Sequence, residues 1–76
     1  LKLKFKIQNM QTLRFNTTTK AIGVTNSDGE LIFSYGNIPT VKVLEGYYEV
    51  MQKDETEKSF PILRLPIANT NMVIER

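Results

Sequence analysis

Along the chain, apolar and polar positions alternate with a period of two, and no window shows the i, i+3, i+4, i+7 spacing of an amphipathic helix over three turns. The opening LKLKFKI sets the theme. Leu1, Leu3, Phe5 and Ile7 share one parity and Lys2, Lys4 and Lys6 the other, so a strand here places four apolar groups in a core and three ammonium groups outside. After a connection at Gln8 to Gln11, residues 12–16 (TLRFN) repeat the pattern with Leu13 and Phe15 against Arg14, and residues 21–25 do so with Ile22 and Val24. Asn26-Ser27-Asp28-Gly29 is the clearest turn, because Asn and Asp side chains brace a turn and Gly accepts the left-handed conformation that closes it. It leads into residues 30–35 (ELIFSY), and Gly36 to Pro39 form the next turn.

Residues 40–53 (TVKVLEGYYEVMQK) are long for one straight strand, and their apolar parity changes from odd at Val41 and Val43 to even at Leu44, Tyr48 and Val50. A bulge or sharp bend at Glu45-Gly46 accounts for the switch. Residues 54–58 (DETEK) form a charged loop tip. Residues 60–67 (FPILRLPI) are apolar on both parities apart from Arg64, and Pro61 and Pro66 predict an edge strand, because proline has no N–H for the ladder. A last turn at residues 69–71 precedes a short strand, residues 72–75.

These elements predict an all-β chain: one small antiparallel β barrel or curled β roll of about six to seven strands, with no substantial helix. The predicted core comprises Leu3, Phe5, Ile7, Leu13, Phe15, Ile22, Val24, Leu31, Phe33, Val41, Val43, Tyr48, Val50, Leu63 and Leu65.

Length narrows the picture. The 76 residues make a single small β domain, residues 1–76, which buries only about 60% of the surface its unfolded chain exposes. The chain starts at Leu1 rather than Met, so it reads as a fragment of a longer protein or as one whose true start is missing. With no cysteine and no histidine, it lacks the means for disulfides, thiolate chemistry, imidazole catalysis and ordinary zinc sites. Absence of cysteine fits a reducing compartment such as the cytoplasm. The apolar runs are too short for a transmembrane helix.

Charge adds a gradient. Net charge is +2, but residues 1–27 carry five cations and no acid, whereas residues 45–76 carry six acids against four cations. The basic third (Lys2, Lys4, Lys6, Arg14 and Lys20) suits weak, sequence-indifferent binding to nucleic-acid phosphates. The competing explanation is edge protection, since alternating lysines keep a strand edge soluble. Phe5 and Phe15 lie on the parity opposite the cations, so the usual interleaving of stacking rings with charges is missing. An anionic membrane surface is a third reading, without the amphipathic helix that normally accompanies it.

No catalytic constellation is visible: no Ser or Thr has a base beside it, and no glycine-rich phosphate loop occurs. The expectation is a non-enzymatic protein with no cofactor and no metal. A calcium loop placed on Gly29 would put Val24 and Tyr35 at ligand positions, which neither can fill. Asn16-Thr17-Thr18 matches a glycosylation sequon, a pattern common by chance.

The leading expectation is a protein-interaction or assembly domain that uses exposed apolar strand surface, with a protein partner or self-association. Its candidate residues are Tyr47, Tyr48, Phe60, Ile62 and Arg64. Adjacent tyrosines on a strand face opposite ways, and FPILRLPI is apolar on two faces, so part of this surface is left for a partner. Ile32, Met72 and Ile74 add to the surplus.

Overall fold

The computed structural model describes residues 10–76. It is all-β, with seven strands: β1 (Gln11–Asn16), β2 (Ala21–Thr25), β3 (Leu31–Tyr35), β4 (Val41–Leu44), β5 (Tyr47–Lys53), β6 (Ser59–Pro66) and β7 (Thr70–Glu75). One 3₁₀ turn, Ile67–Asn69, separates the last two strands. The expected strand over residues 1–7, with the core positions Leu3, Phe5 and Ile7 and the cations Lys2, Lys4 and Lys6, lies outside the described residues.

Two sheets form. The first has the order β3-β2-β1-β7, with β1 antiparallel to β2 and parallel to β7; the second has the order β4-β5-β6, antiparallel throughout. Among the described residues no ladder joins the sheets into a closed barrel. The chain lays down β1-β2-β3 as a meander, crosses through residues 36–40, lays down β4-β5-β6, and returns to place β7 beside β1. Pro61 and Pro66 sit on β6, an edge of the second sheet, where a missing N–H costs least.

The core lies between the sheets. Leu13, Phe15, Ile22 and Val24 from the first sheet meet Val50 and Leu65 from the second, and Tyr35, Val41, Tyr48, Ile62, Leu63 and Met72 pack around them. Ile38 completes this core from the crossing segment, fully buried, with its N–H donating to the Lys20 carbonyl at 2.9 Å. Its burial was not legible in the sequence, because a connecting segment has no periodicity to reveal which residue turns inward.

Four expectations are corrected. Leu31, Phe33 and Val43, expected in the core, are exposed, Val43 at 67%. Each lies on β3 or β4, the edge strands at which the chain crosses between sheets, and an edge strand is covered on one side at most. The single strand expected over residues 40–53 is a hairpin. Its parity switch marks a reversal at Glu45-Gly46, so that Leu44 pairs with Tyr47 and Val41 with Val50. Gly46 has φ +89°, a conformation side chains resist, which explains a glycine at that tip.

The Asn26–Glu30 turn is present as expected, and the DETEK tip has the same frame. In each, the first residue's N–H donates to the carbonyl of the fifth and its carbonyl accepts from the N–H of the fourth, at 2.9 to 3.1 Å. Asn26 Oδ1 accepts from the N–H of Asp28 and of Glu30, both at 2.9 Å, and Asp54 Oδ1 accepts from those of Thr56 and Lys58 at 2.8 and 3.0 Å.

Candidate functional site

The five residues expected to bind a partner are divided among three places. Tyr48 and Ile62 point into the core and pack there. A register shift between β5 and β6 leaves Ile62 without a direct cross-strand partner. Tyr47 and Arg64 meet on the opposite face of the same sheet, where the Arg64 guanidinium lies over the Tyr47 ring at 5.0 Å. Phe60 stands apart near the DETEK tip, half exposed.

Strand pairing sets the Tyr47–Arg64 cluster. Glu49 and Arg64 are direct cross-strand partners, and Arg64 Nε donates to Glu49 Oε2 at 2.8 Å. The pair is lopsided, because the Glu49 side chain is buried and that of Arg64 is open to water. The hydrogen bond to Glu49, helped by the charge environment of Tyr47 and Glu49, holds the Arg64 guanidinium above its ordinary pKa. Stacking on tyrosine and donation to a carboxylate both suit a planar guanidinium, so the arrangement fixes Arg64.

Phe60 lines an open cleft of about 840 Å³ between the crossing segment and the DETEK tip, along with Lys20, Pro39, Gln52 and Glu57. Lys20, Asn37 and Glu57, all with positive φ (59°, 57° and 67°), sit on its rim. The polar groups here are largely engaged with one another. Asp54 accepts from Thr56 Oγ1 at 2.7 Å as well as from backbone N–H groups, and the Thr56 hydroxyl and the Lys58 N–H lead in holding its carboxyl below the ordinary value. Lys53 Nζ reaches Glu57 at 3.4 Å, and Gln52 Nε2 donates to the Gly36 carbonyl at 2.9 Å.

Of the cations of the phosphate-binding alternative, Lys2, Lys4 and Lys6 lie outside the described residues, and the two described ones stand at different places. Arg14 pairs with Glu75 across β1 and β7 at 2.9 Å, and Lys20 stands at the β1–β2 turn. Among the described residues, no three acidic groups converge as a metal site requires.

Among the described residues, three consecutive exposed apolar side chains lie elsewhere, on β3. Leu31, Ile32 and Phe33 are 62%, 45% and 38% exposed, and β3 pairs with β2 along one side, with no strand on its other side among the described residues. Register explains the two faces. Phe33 and Tyr35 oppose Val24 and Ile22, which places them on the core side, where their rings stack at 6.4 Å. A bulge at Ile32 shifts Leu31 opposite Thr25, and Leu31 leans over Gly23, close enough that a Cβ there would sit 3.3 Å from Leu31 Cδ1. The sequence carried one sign of this: three consecutive large apolar residues at positions 31–33 cannot all face one core.

No family model, curated protein or solved structure is significantly similar to this chain.

Proposed function

We propose that this chain is a non-catalytic protein-interaction domain that works by accepting a strand at the β3 edge. The observation that carries the reading is β3 itself, an apolar strand with Leu31, Ile32 and Phe33 exposed and no strand along its other edge among the described residues. Such an edge offers a row of backbone donors and acceptors to an incoming strand, which supply affinity while flanking side chains supply selectivity. The fixed Tyr47–Arg64 stack is a second, smaller exposed feature, of the residue types that anchor interfaces. The phosphate-binding alternative rests on five cations, of which Lys2, Lys4 and Lys6 lie outside the described residues and Arg14 is paired with Glu75 at the surface.

The test is photo-crosslinking in the cells that make the protein. A benzophenone amino acid replaces Phe33 in one variant and Lys42, on the exposed side of β4, in another. Covalent protein adducts are expected from position 33 and not from position 42. Absence of adducts from position 33 in the folded variant overturns the reading.

A further inference from the structure

The strand-addition reading leaves open which strand is added. We infer, resting on that reading, that it is the β3 of a second copy, paired antiparallel about a twofold axis so that two four-stranded sheets become one of eight.

The strand suits itself. LIFSY holds no charge and no proline, so two copies pair without opposing like charges and without a missing donor. Charge enters at its two ends, with opposite sign. The start of β3 is flanked by Asp28 and Glu30 of the β2–β3 turn. Its end lies beside Lys20, because Tyr35 pairs with Ile22 and Lys20 precedes Ile22 by two residues. Lys20 takes part in none of the ion pairs among the described residues. Antiparallel pairing about a twofold axis sets the acidic start of each copy beside the basic end of the other, whereas a parallel arrangement sets like beside like. This complementarity selects both the partner and the direction.

The aromatic residues point the same way. Phe33 is the middle residue of β3, and an axis passing near it brings the Phe33–Tyr35 stack of one copy against that of the other, covering the exposed Phe33 ring. An isologous contact of this kind closes on itself and does not propagate into fibres. Five residues of strand edge fall short of the roughly 1,200 Å² buried in standard stable interfaces, so the dimer depends on concentration.

Sedimentation equilibrium of the purified chain, from about 10 μM to about 1 mM, is the test. The wild type is expected to pass from monomer to dimer across this range. Ile32→Lys and Phe33→Lys, each checked for retained β structure by circular dichroism, are expected to weaken dimerisation at least about tenfold, while Val43→Lys on the neighbouring sheet leaves it unchanged. Lys20→Glu and Glu30→Lys are each expected to weaken it, and the double variant to restore it, because only the double variant again pairs opposite charges. Monomer alone at the top of the range, or a dimer indifferent to the β3 variants, overturns the inference. If position 33 then crosslinks to proteins of other masses, the interaction reading survives and the self-pairing does not. If position 33 yields no adducts at all, the interaction reading itself has failed.

Discussion

β2 and β3 are neighbours in one sheet, joined by a tight turn, and β3 has more large apolar side chains: Leu31, Ile32, Phe33 and Tyr35 against Ile22 and Val24. Yet Ile22 and Val24 are buried, whereas on β3 only Tyr35 packs against the core and Leu31, Ile32 and Phe33 are exposed. What separates them is the layer across from each. A three-stranded sheet covers the middle of a four-stranded one and leaves its margins bare, so core-facing Phe33 on β3 and Ile74 on β7 are exposed while Leu13 and Val24 between them are sealed. Burial follows a strand's place in the sheet order rather than its apolar content. Under the proposed strand addition, such a margin supplies a second chain with apolar surface and with backbone that is unpaired among the described residues.

The contrast between centre and margin is sharpest for leucine. Leu13→Ala is expected to cost about 2–5 kcal/mol, since it opens a cavity in a close-packed centre, whereas Leu31→Ala stays within about 1 kcal/mol. Urea unfolding of the two variants measures this directly. Equal losses would mean that β3 is covered in the working protein even as a monomer.

The second sheet tests the same contrast with charge. Glu49 is buried on central β5 while its partner Arg64 is exposed on marginal β6. Removing the exposed member is therefore expected to be costly: Arg64→Ala leaves a buried carboxylate without its donor and lowers the urea midpoint. Adding Glu49→Gln to that variant is expected to recover part of the loss in the same unfolding assay. No loss from Arg64→Ala would show that water reaches Glu49 freely, and the centre of this sheet would not be sealed on that face.

A smaller effect distinguishes the two turns with a common frame, the one that leads onto the margin at β3 and the one that leads away from central β5. At their left-handed position one has Gly29 and the other Glu57, with φ +85° and +67°. Glu57→Gly is expected to stabilise by about 1 kcal/mol and Gly29→Ala to destabilise by a similar amount. Their first residues differ in titration. Asn26 is neutral at every pH, whereas the carboxyl of Asp54 is held below its ordinary value by the bonds it accepts. A depressed acid contributes stability that is complete above its unfolded pKa, near 3.8, and lost as pH falls through the lower folded value. Asp54→Asn is expected to remove that part of the acid sensitivity, as followed by amide chemical shifts in the turn. An unchanged acid profile would place the sensitivity elsewhere.

The smallest stability effect belongs to the margin. Ile32→Lys is expected to shift the unfolding free energy of the monomer by no more than about 0.5 kcal/mol, because the side chain leaves little buried surface behind. A large loss would assign Ile32 a place in the monomer's own core.

The candidate site was half legible. Tyr47 and Arg64 were visible as an exposed tyrosine and the lone charge in an apolar strand, and cross-strand register brings them together around Glu49. Phe60 lay on the same short strand as Arg64 but is carried to the cleft. Tyr48 packs in the core, where its parity with Val50 had also placed it, while the register shift at Ile62 turns that residue inward beside Leu63 and Leu65, which no parity in β6 predicts. Leu31 and Phe33 have a core-like pattern yet are exposed, since alternation looks the same in a central strand and in a marginal one.

The all-β character, the turns at Asn26–Gly29 and DETEK and the edge position of the proline-bearing strand were determined by the sequence alone. These follow from chemistry within a few residues: side-chain alternation, carboxamide and carboxylate bracing of turns, and proline's missing donor. Only the tertiary structure decided that Glu45-Gly46 reverses the chain, that β7 returns to lie parallel to β1, and that Ile38 plugs the centre while Leu31, Phe33 and Val43 stay outside. The reversal is a local hairpin that the parity switch disguised as a bend, whereas the other two depend on contacts between residues far apart in the chain, and burial is a property of what two layers exclude between them, which no single strand carries in its own pattern.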